Sequence, residues 1–341
     1  MSVRDRFEQE EENTLSPRAR RSVETKGRAR PEEPDSLRTC FQRDRDRVIH
    51  AKAFRRLAHK TQVFLTPEGD HYRTRLTHTL EVSQISRTIA RALGLNQDLT
   101  EAIALGHDLG HTPFGHIGEQ ALTQALGEEN GRFGWPRRFD HNLQSLRVVE
   151  AIEYGGKGLN LTFEVLDGIR THTGSEMPST LEAEVVRIAD RVAYINHDID
   201  DAVRGGIISQ NDLPAEPVRL LGKHHSLRVS SMVTDLISNS RESDHIRMSQ
   251  EIGRVTDEMR DFLFEKVYEN DVAKGESPKA QKVLQGLFAY YLETPTALPA
   301  EFKPTGQQEL AVKVCDYIAG MTDRYAIRRY EEIFMPKAWT I

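Results

Sequence analysis

Between residues 107 and 119 the chain reads His107-Asp108-Leu109-Gly110-His111-Thr112-Pro113-Phe114-Gly115-His116-Ile117-Gly118-Glu119, which puts three imidazoles and two carboxylates in one short stretch. Side chains of this kind do two sorts of chemistry: they hold divalent metal ions, and they move protons near neutral pH. His107 and Asp108 are adjacent, so on a helix they diverge by about 100°. Both still reach one ion that sits beyond the helix end or beside a turn opened by Gly110. A nitrogen and a carboxylate oxygen suit Mn²⁺, Fe²⁺, Co²⁺ or Ni²⁺, with Mg²⁺ a further option. Two more ligands must come from elsewhere. Histidine is concentrated around this stretch: ten of the 13 fall between His50 and His197, less than half of the chain.

The elements that must position these groups read as helices. His78, Val82, Ile85 and Ile89 follow i, i+4, i+7, i+11, a single helical stripe that Gly94 ends. His78 thus faces inward, as a hydrogen-bonded core residue or as a ligand. Asp98 or Thr100 is expected to cap the next helix, which carries Leu99, Ile103 and His107 along one side. From Leu181 to Val203, an apolar seam runs through Val185, Ile188, Val192, Ile195 and Ile199. Opposite it lie Arg187, Asp190, Tyr194 and Asp198, the last three stacked at i, i+4, i+8. That stripe is either a solvated face or the lining of a polar cavity. His116 and Glu119, at i, i+3, share a face.

No strand-like alternation competes with these patterns, and the predicted class is all-α: a helical bundle with a helical C-terminal extension. Residues 1–36 read as a flexible charged arm, 37–217 as the core, and 218–341 as a helical region packed on it. From Pro17 to Arg56 there are 13 Lys/Arg against 6 Asp/Glu, in a chain of net charge −6. This is either a solvated segment or one that meets anionic material. Mean hydropathy is −0.56, and no apolar run is long enough for a transmembrane helix. The first residues carry no apolar signal region, and Cys40 and Cys315 suggest no disulfide framework. The expectation is a soluble cytoplasmic protein with no membrane contact.

His78, His107-Asp108 and Asp190 together resemble the signature of the HD-domain metallohydrolases. Further blocks narrow the resemblance: Lys60-Thr61-Gln62-Val63-Phe64, Arg73 to Val82, Gly106 through Glu119, His141-Asn142, and Asp316-Tyr317-Ile318-Ala319-Gly320-Met321-Thr322-Asp323-Arg324-Tyr325-Ala326. These resemble deoxyguanosine triphosphate triphosphohydrolases and related deoxynucleotide triphosphohydrolases, from about residue 37 to the end. Thr112 stands where proline is frequent. The chain is more compact than the long, guanine-selective type, and no base-reading motif transfers.

The resemblance implies a divalent metal on His78, His107, Asp108 and Asp190. It also implies water attack at the α-phosphorus of a deoxynucleoside triphosphate, giving deoxynucleoside and tripolyphosphate. It makes His116 and Glu119 a catalytic pair, with His116 as general base or as acid to the 5′-oxygen. His111 and His141 would face phosphates, Arg75 a phosphate or sugar, and Arg191 a phosphate. Gln62 and Asp198 would bind the 3′-hydroxyl, and Tyr194 would pack where a ribose 2′-hydroxyl clashes. Relatives assemble as tetramers or hexamers, and some bind single-stranded DNA. Two other readings keep part of this pattern. One is an HD nucleotidase or phosphodiesterase, which needs only the four ligands. The other is a nucleic-acid-binding regulator with a vestigial site, suggested by the basic segment.

Overall fold

The computed structural model describes residues 1–62, 73–133, 138–268, 271–306 and 309–337. It is all-α. Among the described residues, β-pairing is limited to two isolated bridges, Arg28 with Thr162 and Thr61 with Thr74. The chain divides into two compact units interleaved in sequence. The first takes Met1–His50, Thr77–His107 and Leu159–Lys274; the second takes Ala51–Leu76, Asp108–Gly158 and Gly275–Ile341. This division follows neither the arm at residue 36 nor the boundary at 217 that the sequence suggests.

In the first unit the expected seam forms on the helix Leu181–Arg204, with Val185, Val192, Ile195 and Ile199 buried. That helix packs on Gln97–Gly106, Phe163–Thr171 and His225–Ser240. Each such aliphatic side chain contributes about 1.5–3 kcal/mol when fully buried. The helix Arg75–Leu93 buries Val82, Ile85 and Ile89 as its stripe predicts, and Gly94 follows it with φ +67°. The cap of the next helix differs from expectation. Asn96, not Asp98 or Thr100, accepts from the amides of Asp98 and Leu99, both at 3.1 Å. An amide oxygen one position before the first turn meets those free N–H groups, which side chains already inside the turn cannot reach as well.

The N-terminal segment also differs. Val3–Thr14 is a helix closed by a capping box in which Ser2 and Asp5 exchange hydrogen bonds at 2.7 and 3.1 Å. Glu11 accepts from the amide and hydroxyl of Ser22 at 2.6 and 2.7 Å and from Asn96 at 3.1 Å. Much of the local positive charge is spent internally. Arg28 pairs with the buried Asp44, Arg43 with Glu32 at 2.8 Å, and Arg38 with Asp35 and Asp46 at 2.7 and 2.8 Å. Composition shows the surplus of arginine but not these partners, which is why the segment reads as solvated.

The second unit has its own core, with Phe114, Leu122, Leu287, Tyr291, Val314 and Ile318 among its buried residues. Two aspartates of the C-terminal block explain why residues 316–326 group with the loop after Asp108. Asp316 accepts from Gln144 at 3.0 Å and from Arg147 at 2.6 and 2.9 Å. Asp323 accepts from the backbone amides of Thr61 and Phe114, at 2.9 and 3.1 Å, and from the Thr61 hydroxyl. Phe114 needs that support because its φ is +63°, a conformation an L side chain adopts at a cost of about 1–2 kcal/mol. Asp323→Ala is therefore expected to destabilise the protein by about 2–4 kcal/mol, because it leaves buried donors unpaired. Denaturant unfolding checks this; a midpoint equal to that of the unaltered protein would contradict it.

Candidate metal centre and active site

In the first unit His78, His107 and Asp190 converge. His78 lies on the buried side of its helix, as its stripe requires, and His107 follows the last turn of the helix Gln97–Gly106. Nε2 of His78 is 3.0 Å from Oδ1 of Asp190, and Nε2 of His107 is 3.7 Å from the same oxygen. Nδ1 of His107 lies 2.6 Å from the Ala104 carbonyl, which can only accept. The ring therefore carries its proton there and turns the Nε2 lone pair toward Asp190. Burial alone would raise the pKa of Asp190, but His107 and His78 hold it well below the usual carboxylate range. Nε2 of both rings thus faces one carboxylate oxygen. Two imidazoles and a carboxylate are a donor set that fits a divalent ion.

Two histidines to which sequence reasoning gives no role pack around this group. The His172 ring meets His107 edge-on with centroids 5.0 Å apart, and the His197 ring meets His78 at 5.6 Å. No spacing rule joins His172 to His107, since it follows the helix Phe163–Thr171, but His197 shares the helix of Asp190 two turns further on, and that i, i+7 spacing is the signal that could have found it.

Asp108, the next residue after His107, opens a second cluster, in the second unit. Its ligand atom and those of His111 and His141 lie within 4.8 Å of one another. Arg75 Nη1 is 2.9 Å from Asp108, both side chains being buried. Glu119 stands among three histidines: its Oε1 is 2.8 Å from His111 Nδ1, 3.1 Å from His141 Nδ1 and 3.7 Å from His116 Nδ1. The rings of His111 and His141 stack at 4.0 Å. The Glu119 carboxyl would be raised by burial, but its histidines, His111 first, hold it well below its usual range. Burial, then the nearby Arg75 and His141, push His111 down to about 4, so it is neutral near pH 7. The Glu119 carboxylate raises His116 instead. His116 is also the exposed member, with 77% of its side chain accessible.

The turn between the two helices is built for close approach. The amide of Gly110 donates to Ser145 Oγ at 2.8 Å, and a Cβ at Gly110 would lie 2.1 Å from the Ser145 nitrogen and 2.6 Å from the His141 carbonyl. Only glycine lets the His141 helix sit this close to the loop that carries His111. Lys60 is buried and donates to the carbonyls of His111 and, at 2.7 Å, Ala319; burial lowers its pKa to about 7.

The remaining predicted residues are placed as follows. In the first unit Asp198 is buried and accepts from the Tyr268 hydroxyl, a residue the sequence does not single out. Tyr194 is half-buried, and burial, with Asp190 next, raises its phenol to about 12. Arg191 is ion-paired with Asp257. The polar stripe is thus not a solvated face. In the second unit Gln62 Oε1 is buried without a hydrogen-bond partner among the described residues. Val63, Phe64 and His71 lie outside the described residues.

The all-helical fold and the clustered His/Asp donors define the class, and family comparison agrees with it. An HD domain model matches residues 75–195, and a phosphohydrolase-associated domain model matches residues 246–332. The chain is a metal-dependent HD-domain phosphohydrolase. It is 56% identical over 99% of its length to a deoxyguanosinetriphosphate triphosphohydrolase-like protein of Caldanaerobacter subterraneus, covering 98% of that protein. Proteins of the same description from Desulfatibacillum aliphaticivorans and Clostridium tetani are 49% and 46% identical, over 98% and 99% of this chain and 99% and 97% of their own. The chain belongs to the deoxyguanosinetriphosphate triphosphohydrolase-like family. Among the described residues no helix is long and apolar enough to cross a membrane.

The Glu119 contacts set a pH expectation. Because the carboxylate raises His116, the pair's stabilisation is present below the ordinary imidazole pKa and is lost as pH rises through the raised one. Solvent around the exposed ring screens much of it. Glu119→Gln should lower the His116 pKa toward its ordinary value of about 6.5. An NMR titration of the ring protons reads this, and an unmoved or higher pKa would contradict it.

Proposed function

We propose that this protein hydrolyses deoxynucleoside triphosphates at the α-phosphorus, releasing deoxynucleoside and tripolyphosphate. The observation that carries the reading is the arrangement at Glu119: one partly buried carboxylate stands within 3.7 Å of three imidazoles, one of them exposed. The names of the 46–56% identical relatives support it.

In this reading His78, His107, Asp108 and Asp190 hold a divalent ion. When bound, the ion supplies Lewis-acid polarisation of a phosphate oxygen. The protein's own groups do the rest. Glu119 orients His116 through Nδ1, which leaves Nε2 to take a proton from water or give one to the departing 5′-oxygen. His111 and His141, stacked and held by the same carboxylate, offer hydrogen bonds to the phosphate chain. Arg75, now on Asp108, and Arg191, now on Asp257, are the cations that would turn to phosphate.

For the sugar, the Asp198 carboxylate would accept from a 3′-hydroxyl, and the side-chain amide of Gln62 would donate to it. The half-buried ring of Tyr194 supplies the steric block at C2′. A ring there rejects a ribose because its extra hydroxyl finds neither space nor a partner.

Incubation with each deoxynucleoside triphosphate, singly and mixed, with Mn²⁺ or Mg²⁺, is expected to yield deoxynucleoside and tripolyphosphate. Monophosphate with pyrophosphate, or free orthophosphate, would overturn the reading in favour of another phosphohydrolase. Tyr194→Ala is expected to narrow the preference for deoxyribose over ribose roughly tenfold or more. A ratio of kcat/KM values that does not change would remove Tyr194 from sugar recognition.

A further inference from the structure

A third group of ligating side chains lies wholly within the first unit and plays no part in the chemistry above. Glu81 is on the helix Arg75–Leu93, His197 on Leu181–Arg204, and His225 is the first residue of His225–Ser240. One ligand atom from each lies within 4.8 Å of the others. His197 Nε2 meets one Glu81 oxygen, and His225 Nε2 is 3.2 Å from the other. The two rings are parallel, with centroids 5.9 Å apart.

What distinguishes this from an ordinary cluster is the layer behind it. Asp200 Oδ2 is 3.1 Å from His225 Nδ1, while Nε2 of the same ring faces Glu81. Asp200 is itself held at 3.0 Å by Arg228, a fully buried arginine that also donates to Asn196 at 2.8 Å and to the Lys223 carbonyl at 3.0 Å. A carboxylate behind a histidine, locked by a buried cation, is the usual support of a metal-bound imidazole.

We propose that Glu81, His197 and His225 form a second metal site, distinct from the HD signature. Two imidazoles and one carboxylate are the donor set of transition ions rather than of Mg²⁺ or Ca²⁺, and zinc is the fitting probe. Three ligands leave a position open to water or to a further group. An ion there would tie together the two helices that carry His78 and Asp190, since Glu81 lies one turn beyond His78 and His197 two turns beyond Asp190.

The test is zinc stoichiometry on the full-length chain, first stripped with a chelator and then dialysed against limiting Zn²⁺, with metal counted by mass spectrometry. The proposal expects His225→Asn and Glu81→Gln each to bind one zinc fewer per chain than the unaltered protein. His107→Ala should lose a different equivalent, and the His107→Ala, His225→Asn double variant should lose both. Zinc should also raise the melting temperature of His107→Ala but not that of the double variant. Equal stoichiometry in the His225→Asn and unaltered proteins, both folded by circular dichroism, would overturn the proposal. If one variant does not fold, the other decides. A normal deficit at His225 with no deficit at His107 would instead count against the HD metal assignment alone.

Discussion

A buried carboxylate among neutral or charged imidazoles is the constraint on which the second unit's site depends. Glu119 is only 15% exposed and must be compensated, and three histidines from two segments do this. Two of these rings differ in protonation. His111, buried beside Arg75, is pushed to neutrality, whereas His116, at the surface, is raised. Burial and the nearby Arg75 keep His111 neutral against the pull of Glu119, and the same carboxylate raises His116, so the cluster holds both a neutral ring and an ionisable one.

Holding that carboxylate in place accounts for features that otherwise look unrelated. The turn from Asp108 to Gly115 must double back so that the helix His116–Phe133 starts under His111. It does so through the left-handed Phe114 and Gly115, and the strain at Phe114 is offset by Asp323. Gly110 lets the His141 helix reach the same carboxylate. The C-terminal block near residue 320 thus supports the loop that carries His111.

The parts legible in sequence were those encoded by short-range spacing. The stripe through His78, Val82, Ile85 and Ile89 gave an inward histidine, the seam from Leu181 gave a long helix, and His116 with Glu119 gave a facing pair. The site residues came mostly from family resemblance, because nothing in the spacing of His78, His107 and Asp190 says that they meet. What stayed hidden depends on partners distant in the chain. The N-terminal arginines look solvated until Asp44, Glu32 and Asp46 are placed beside them. Tyr268 and Asp257 reach Asp198 and Arg191 across some 70 residues of chain. His172 and His197 look like composition until their rings meet His107 and His78.

On the proposed function, His78, His107, Asp108 and Asp190 hold the ion, and His116, beside Glu119, moves the proton. The most direct measurement is metal content and kcat together on His116→Ala, with the same deoxynucleotide and ion as for the unaltered protein. Full metal occupancy and an unchanged fold are expected, with kcat lower by roughly 10²–10⁴-fold. Loss of metal in proportion to loss of activity, or unchanged kcat, would contradict it.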